Sequence, residues 1–320
     1  MRKRAPFQAP SQTLGMKPKN KEKWQRSLSV IIDNEKWLAY LILGPVVILI
    51  FFMAYFPAIQ SFRFSLMYYN TRLPERIHFV GLNNYIRILK DPLFLEALKR
   101  TAYFVVIAVG MILSIALVFS LVLNENFKGR SILRALVILA WAIPPVVNGF
   151  MWKWLLSGDF GFLNGILYQF GLISSYKPWL KDPFMALNWA TLTFVWRFTP
   201  FVTILLLGAL QSIPLELYDS AKVDGAGARS CWWHITLPLL RPMLTIALII
   251  IMIFAFTVFD EIYTLTGLDP ATKTLMMYGY ELAFEKGRFG IGSALAYVIG
   301  IFMFLITYSY IKSIYREVKY

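Results

Sequence analysis

Apolar positions along this chain do not alternate with polar ones. They collect into six runs, 37–59, 101–123, 135–155, 185–212, 243–266 and 291–311, which between them contain four charged residues: Lys153, Arg197, Asp260 and Glu261. A helix of about 20 apolar residues spans the hydrocarbon core of a bilayer, and each run reaches that length. The pattern predicts an all-α polytopic membrane protein with six transmembrane helices.

Prolines and polar residues within the runs shape this expectation. The first span holds Pro45 and Pro57 and is expected to kink. Pro144-Pro145 removes two backbone donors in the middle of the third span, so the freed carbonyls must face protein or water, and a broken helix pointing inward follows. The fourth span carries Trp196-Arg197-Phe198-Thr199-Pro200 at its centre. Between the first two spans, Phe79 to Tyr85 reads as a turn opening a polar helix over Asn84 to Lys90, and Asp91-Pro92 marks a fresh helix start. The segment 156–184, with Gly158, Gly161, Asn164, Gly165 and Gly171, reads as a turn-rich cap. No internal repeat relates the two halves, which argues against an inverted-repeat transporter.

Composition agrees with the pattern: of 320 residues, 58% are hydrophobic and 16% charged, against about 25% charged in soluble domains. The net charge of +14 would suit nucleic acid, but its distribution follows the membrane instead. With six spans both termini share a side, and that side (1–36, 124–134, 213–242, 312–320) holds 18 Lys and Arg against 12 on the other, with eight acids on each. The bias places both termini in the cytoplasm and argues against a nucleic-acid partner. The chain divides into a basic tail 1–36, a transmembrane domain 37–312 and a short tail 313–320. Residues 1–23 read as disordered; Trp24 to Trp37 reads either as a helix lying on the membrane surface or as a lead-in to the first span. The first apolar run is too long for a signal-peptide core of roughly 7–15 residues, so it reads as a retained span. Cys231 is the sole cysteine, and His78 and His234 are the two histidines, so neither an internal disulfide nor a Cys/His zinc site is expected.

The loop 213–242 between the fourth and fifth spans is the most informative segment. Pro214 is placed to open a helix, with Glu216 in its first turn where the helix dipole favours an anion. Asp224-Gly225 ends that helix, because Gly225 can adopt positive φ, and a second helix is expected to end by Pro238. Leu217, Tyr218, Ala221 and Val223 offer more apolar surface than a connector needs. Such a surface calls for a partner.

This loop resembles the cytoplasmic coupling motif of ABC-importer permeases, Glu-Ala-Ala, three residues, Gly, nine residues, Ile-x-Leu-Pro. Here Asp219-Ser220-Ala221 stands at the triplet, Gly225 falls at the right spacing, and Ile235-Thr236-Leu237-Pro238 closes it. Phe79 to Tyr85 with Leu98 and Thr101, and Phe259-Asp260 with Tyr263, Leu265 and Thr266, are similar to the maltose-type branch. That branch imports sugars, oligosaccharides and related polyols. Gly267-Leu268-Asp269-Pro270 departs from the Gly-Gly-Pro usual there. The resemblance spans about 37 to 312 and implies the first of two permease subunits, joined to a second homologous permease, two cytoplasmic ATPases and an external solute-binding protein, in the plasma membrane of a bacterium or archaeon. It also implies that Glu216 to Ala221, Asp224, Gly225, Ile235, Leu237 and Pro238 contact the ATPase. No Gly-x-x-x-x-Gly-Lys-Ser/Thr loop occurs in the chain, so ATP and Mg belong to the partner ATPases.

A charged side chain costs roughly 2.5–3.5 kcal/mol at the centre of a spanning helix, so each must face a cavity, an interface or a partner. Lys153, near a span end, can snorkel. Arg197 is central and is expected either to pair with an acid such as Asp260 or to touch solute. Asp260 and Glu261 sit near the outer end of their span, and the Phe259-Asp260 resemblance implies a gating or packing role for them. Sugars are held by aromatic faces and fixed polar groups, which makes Asn148, Trp152, Trp196 and Tyr263, with Arg197 and Asp260, the candidate solute pathway. The residues assemble no constellation for a membrane enzyme. A channel or secondary transporter working without an ATPase is the alternative reading, and it has no need of the docking loop.

Overall fold

A computed structural model describes residues 35–315, so the expectations for the basic N-terminal tail and for 316–320 lie outside the described residues. The chain divides into two units, Met1–Ser61 and Phe62–Tyr320. The described part of the first unit is helical from Glu35 and consists mainly of the helix α1 (Ala39–Ser65), which runs on into the second unit. A wide turn over Phe51–Tyr55, in which the Phe56 amide donates to the Phe51 carbonyl, precedes Pro57 by two residues. A proline ring clashes with the carbonyl one turn back and offers no amide; one extra residue in the turn moves that carbonyl aside.

In the second unit a short antiparallel hairpin of β1 (Met67–Tyr68) and β2 (His78–Phe79) pairs Met67 with Phe79 and Tyr68 with His78. Next come α2 (Asn83–Lys90) and α3 (Pro92–Asn124), a helix of 33 residues. The Asp91-Pro92 start is borne out: Pro92 opens α3, and the Asp91 carboxylate accepts from the Leu93 amide at 2.9 Å. Its other oxygen accepts from the Tyr278 hydroxyl at 2.5 Å. Burial, and then this bond and the adjacent charge, hold the Tyr278 phenol above its ordinary range.

The third span is the pair α4 (Arg130–Ala142) and α5 (Pro145–Leu155), bent by 97° at Ile143 and Pro144. Within the turn-rich segment 156–184 a short helix α6 (Phe162–Gln169) forms, and the buried Asn164 ties it down. Its amide donates to the carbonyls of Ser157 and Lys177, and its oxygen accepts from the Lys177 amide and the Trp179 indole. The fourth span is α7 (Pro183–Gln211), started by Asp182 accepting from the Met185 amide. A short α8 (Leu215–Val223) leads to α9 (Ala228–Phe256), followed by α10 (Asp260–Thr266), α11 (Leu275–Tyr280) and α12 (Phe289–Tyr315).

The core follows helical spacing. Phe104, Ala108, Ile112 and Ala116 of α3 meet Ala190, Phe194, Phe198, Val202 and Leu206 of α7, with Ala247, Ile251 and Ala255 of α9 alongside. Alanines at these positions let the helix backbones approach closely. The opposite faces expose Val106, Val118, Leu139 and Ile253, as helices in contact with lipid should. Among the described residues, five helices are long and apolar enough to cross a membrane, and the bent pair brings the number to six.

Both boundaries of the fifth span differ from the sequence reading. The helix after Gly227 does not end by Pro238; it continues through Pro238 and Pro242 to Phe256. Another wide turn, Trp232–Thr236, sits two residues ahead of Pro238 and admits the ring as its counterpart does in α1. The fifth span is therefore Ala228–Phe256 rather than 243–266. Residues 260–266 form α10 instead, because the chain leaves the helix at Thr257, whose hydroxyl bonds back to the Ile253 carbonyl, and restarts at Asp260-Glu261, acids suited to a helix N-terminus.

Candidate functional site

The broken third span delivers α5 against α7 and α10. Asn148 is fully buried and donates to the Thr193 carbonyl of α7 at 3.1 Å. Gly149 lies so close to α10 that a Cβ there would stand 1.7 Å from the Thr264 hydroxyl and 3.0 Å from the Glu261 carbonyl. Thr264 in turn donates to the Asp260 carbonyl at 2.7 Å.

Arg197 and Glu261 close this junction. The Arg197 Nε reaches the Glu261 Oε1 at 2.6 Å, and a terminal nitrogen reaches the same oxygen at 2.5 Å. Arg197 is 8% exposed and Glu261 3%. The Arg197 guanidinium also lies over the Phe194 ring at 6.0 Å. The expectation that an acid across helices pairs Arg197 is met, but the acid is Glu261. Asp260, one residue earlier, projects into the open and has no side-chain partner among the described residues. Which neighbour turns inward depends on the rotation of α10 about its axis. That rotation is set by the Gly149 contact.

Two aromatic series border the junction. Trp179, Trp189, Trp152 and Trp196 follow one another with ring centroids 5.9, 6.2 and 6.1 Å apart. Trp196 is partly open and lines a cleft of about 420 Å³ between α3, α4 and α7, with Phe119, Ile143 and Thr199. The Asn148 Oδ1 and Trp152 Nε1 atoms, one turn apart on α5, are buried without a protein partner among the described residues. Tyr263 stacks on Phe259 at 5.1 Å and meets Tyr280 at 5.7 Å. The candidates therefore fall into a group around α5 and the middle of α7 (Asn148, Trp152, Trp196, Arg197) and a Tyr263 cluster on α10, with Asp260 beside it. The sequence reading missed Gly149, Thr193, Trp189 and Thr264, none of which carries a charge or stands out from its apolar run. Lys153, in the last turn of α5, is exposed.

At α8 the geometry is that of a capped, outward-facing helix. Pro214 is the residue before the first turn, not within it, and Glu216 lies in that turn. Gly225 has φ of +80°. Its amide donates to the Lys222 carbonyl at 3.0 Å, and the Ala226 amide to the Ala221 carbonyl at 2.8 Å, a Schellman closure. The faces divide differently from the sequence reading. Tyr218 turns back to the core, its hydroxyl 2.9 Å from that of Thr236, and Ile235 packs against the same core. Ala221 is half-buried, while Leu215, Leu217 and Val223 are exposed, Val223 at 88%. Asp219 pairs with Lys222 at 3.2 Å, and Ser220, Asp224 and Gly225 are open to solvent; Leu237 and Pro238 are half-buried.

Residues 107–316, more than half the chain and including both the Arg197–Glu261 junction and α8, match the family described as binding-protein-dependent transport system inner membrane component. The chain belongs to this family. As such it is a permease subunit, a transport component and not an enzyme. A trehalose/maltose transport system permease protein of Thermococcus litoralis is 37% identical over 281 residues, 87% of this chain and 94% of the relative. A sulfoquinovosyl glycerol transport system permease protein of Agrobacterium fabrum is 31% identical over 294 residues, 91% of this chain and 94% of the relative. The permease shares its fold with a crystal structure of a bacterial ABC transporter involved in the import of the acidic polysaccharide alginate, at a TM-score of 0.76 and 24% identity, over 92% of this chain and all of that one. The all-α, multi-span architecture anticipated from the apolar runs, and the importer-permease fold that the coupling-loop resemblance implied, are thus the observed ones.

Proposed function

We propose that this permease forms half of the translocation pathway for a sugar, oligosaccharide or related polyol. In this reading it pairs with a second homologous permease, two ATP-binding subunits that carry ATP and Mg, and an external solute-binding protein. The relatives named as permeases of trehalose/maltose and of sulfoquinovosyl glycerol transport systems support the carbohydrate class. One structural observation carries the coupling: α8 stands outside the spans as a closed helix, anchored by Tyr218 and displaying Leu215, Leu217 and Val223 to solvent. Three large apolar side chains on one short exposed helix are what a groove on a partner would bury. The charge split puts α8 and both termini in the cytoplasm and the hairpin outside.

The solute pathway of this proposal runs beside the junction of α5, α7 and α10. Partly open aromatic rings at Trp196 and Tyr263 provide faces on which sugar rings stack, and Trp152, whose ring meets that of Trp196, and the buried Asn148 one turn before it back this wall. Asp260, exposed beside them, adds an acceptor.

The test is uptake by the purified complex in liposomes. Accumulation of labelled disaccharide should require both internal ATP and the external binding protein. Accumulation driven by an ion gradient without ATP would overturn the proposal in favour of a secondary transporter. Orientation is read separately. With Cys231 replaced by Ser, a cysteine at Ser174 should react with an impermeant maleimide on intact cells, whereas one at Ser220 should react only after permeabilisation. The reverse pattern would invert the topology.

A further inference from the structure

At the end of the spans away from α8, the hairpin, α2 and the start of α12 enclose a cavity of about 320 Å³, distinct from the junction described above. Tyr68, Tyr69 and Asn70 line it from the hairpin side, Asn84 and Arg87 from α2, and Arg288 from the turn before α12.

The walls are fixed. Asn84 is buried, and its amide donates to the Ser65 and Met67 carbonyls at 2.8 Å each. The Tyr69 carbonyl accepts from the Gly290 amide at 3.0 Å, and the Thr71 amide donates to the Gly287 carbonyl at 2.9 Å. The Arg72 guanidinium is committed to the Glu285 carbonyl. Asn70 spends its side-chain oxygen on the Arg72 amide at 2.9 Å.

Arg87 and Arg288 are not committed. Among the described residues neither guanidinium donates a hydrogen bond to the protein, and neither lies within ion-pair distance of a carboxylate. Nearby cations are treated otherwise: Lys273 and Lys286 both pair with Glu281, at 2.5 and 2.8 Å. Two guanidinium groups opening on one polar cleft, framed by tyrosines and by backbone already in use, form a receptor for an anion with two oxygens.

We infer that this cavity receives an acidic side chain of the external solute-binding protein, the Arg87 and Arg288 guanidinium groups closing on its carboxylate as the two proteins dock. The inference rests on the importer reading, which brings that protein to this end of the permease. A side chain fits a 320 Å³ recess, whose lining also includes Leu73 and Ile291. Charge complementarity of this kind acts mainly on the rate of encounter and on register, and it weakens with salt.

The experiment uses the whole transporter in nanodiscs and its purified solute-binding protein. ATP hydrolysis is followed as the binding protein is titrated. The wild-type half-stimulating concentration should rise several-fold between about 50 and about 300 mM NaCl. Arg87→Glu with Arg288→Glu should raise it about tenfold at low salt and remove most of the salt dependence. Arg288→Gln, a milder change, should fall between. If the wild-type value does not respond to salt, or the variants saturate with the wild type, the inference is wrong. The wild-type titration decides alone if the double variant does not assemble. A shift that occurs in discs containing about 30% phosphatidylglycerol but not in pure phosphatidylcholine would assign the cleft to an anionic headgroup and overturn the docking. Failure of the binding protein to stimulate wild-type hydrolysis at any concentration would instead overturn the importer reading itself.

Discussion

Arg197 and Glu261 meet inside the membrane-spanning unit through two guanidinium nitrogens on a single carboxylate oxygen, 2.6 and 2.5 Å away. The bond joins α10 to the middle of α7, and α5 is wedged between them by Gly149 and Asn148. Replacing one partner leaves the other buried and unpaired, an effect on the order of 3–5 kcal/mol. Arg197→Met is therefore expected to lower the yield and melting temperature of the purified complex sharply. Combining it with Glu261→Gln should recover much of the loss, whereas Asp260→Asn, at an exposed position, should leave stability near wild type. Normal assembly of Arg197→Met with altered solute preference would show that the guanidinium serves solute instead.

Gly149 is held to its size by α10. A methyl group there overlaps the Thr264 hydroxyl, so Gly149→Ala should destabilise the complex by about 1–3 kcal/mol, the range for overpacking. Thr264→Ala in the same chain removes the nearest atom and should restore part of it. Fluorescence-detected thermal denaturation of the single and double variants would measure the coupling, and additive losses would show that the two helices are not in contact.

For α8 the exposed side chains are separable from the anchoring ones. Leu217→Asp and Val223→Asp should insert normally yet lose ATPase subunits during purification, because each places an uncompensated carboxylate in an apolar contact. Tyr218→Phe removes the bond to Thr236 and should act through the stability of the loop instead, costing about 1 kcal/mol. Intact complexes with wild-type transport from both aspartate variants would refute docking through these side chains.

Glu281 gives the structure an acid-sensitive point outside the spans. Burial alone would raise its carboxyl, yet hydrogen bonds and charge from Lys273 and Lys286 hold it below the usual value of 4.5. A carboxyl depressed in the folded state contributes stability that is complete above its unfolded value and disappears as pH falls through the folded one. The melting temperature should therefore decline below about pH 4.5, and Glu281→Gln should lower it at neutral pH while flattening the acid limb. An unchanged acid limb in that variant would remove the triad from the account.

The apolar runs alone determined the six-span, all-helical architecture, because a bilayer leaves a long uncharged segment few ways to satisfy its backbone. Local chemistry was equally legible where it acts within one turn: Asp91-Pro92 opens α3, Gly225 closes α8, and Pro144-Pro145 breaks the third span. Other features depended on contacts between distant segments. Pro238 reads as a helix end, yet a wide turn absorbs it, since continuing the helix keeps a long apolar face packed on α3 and α7. Asp260 and Glu261 are chemically alike and adjacent in sequence; only the seating of α10 against Gly149 sends one inward to Arg197 and leaves the other exposed. Tyr218 and Val223 likewise both belong to the apolar surface of α8, but the position of Thr236 makes the first an anchor and leaves the second free. Spacing along the chain identifies which residues can share a face of a helix. Which face is buried is a property of the neighbours, and those are assembled only in the tertiary structure.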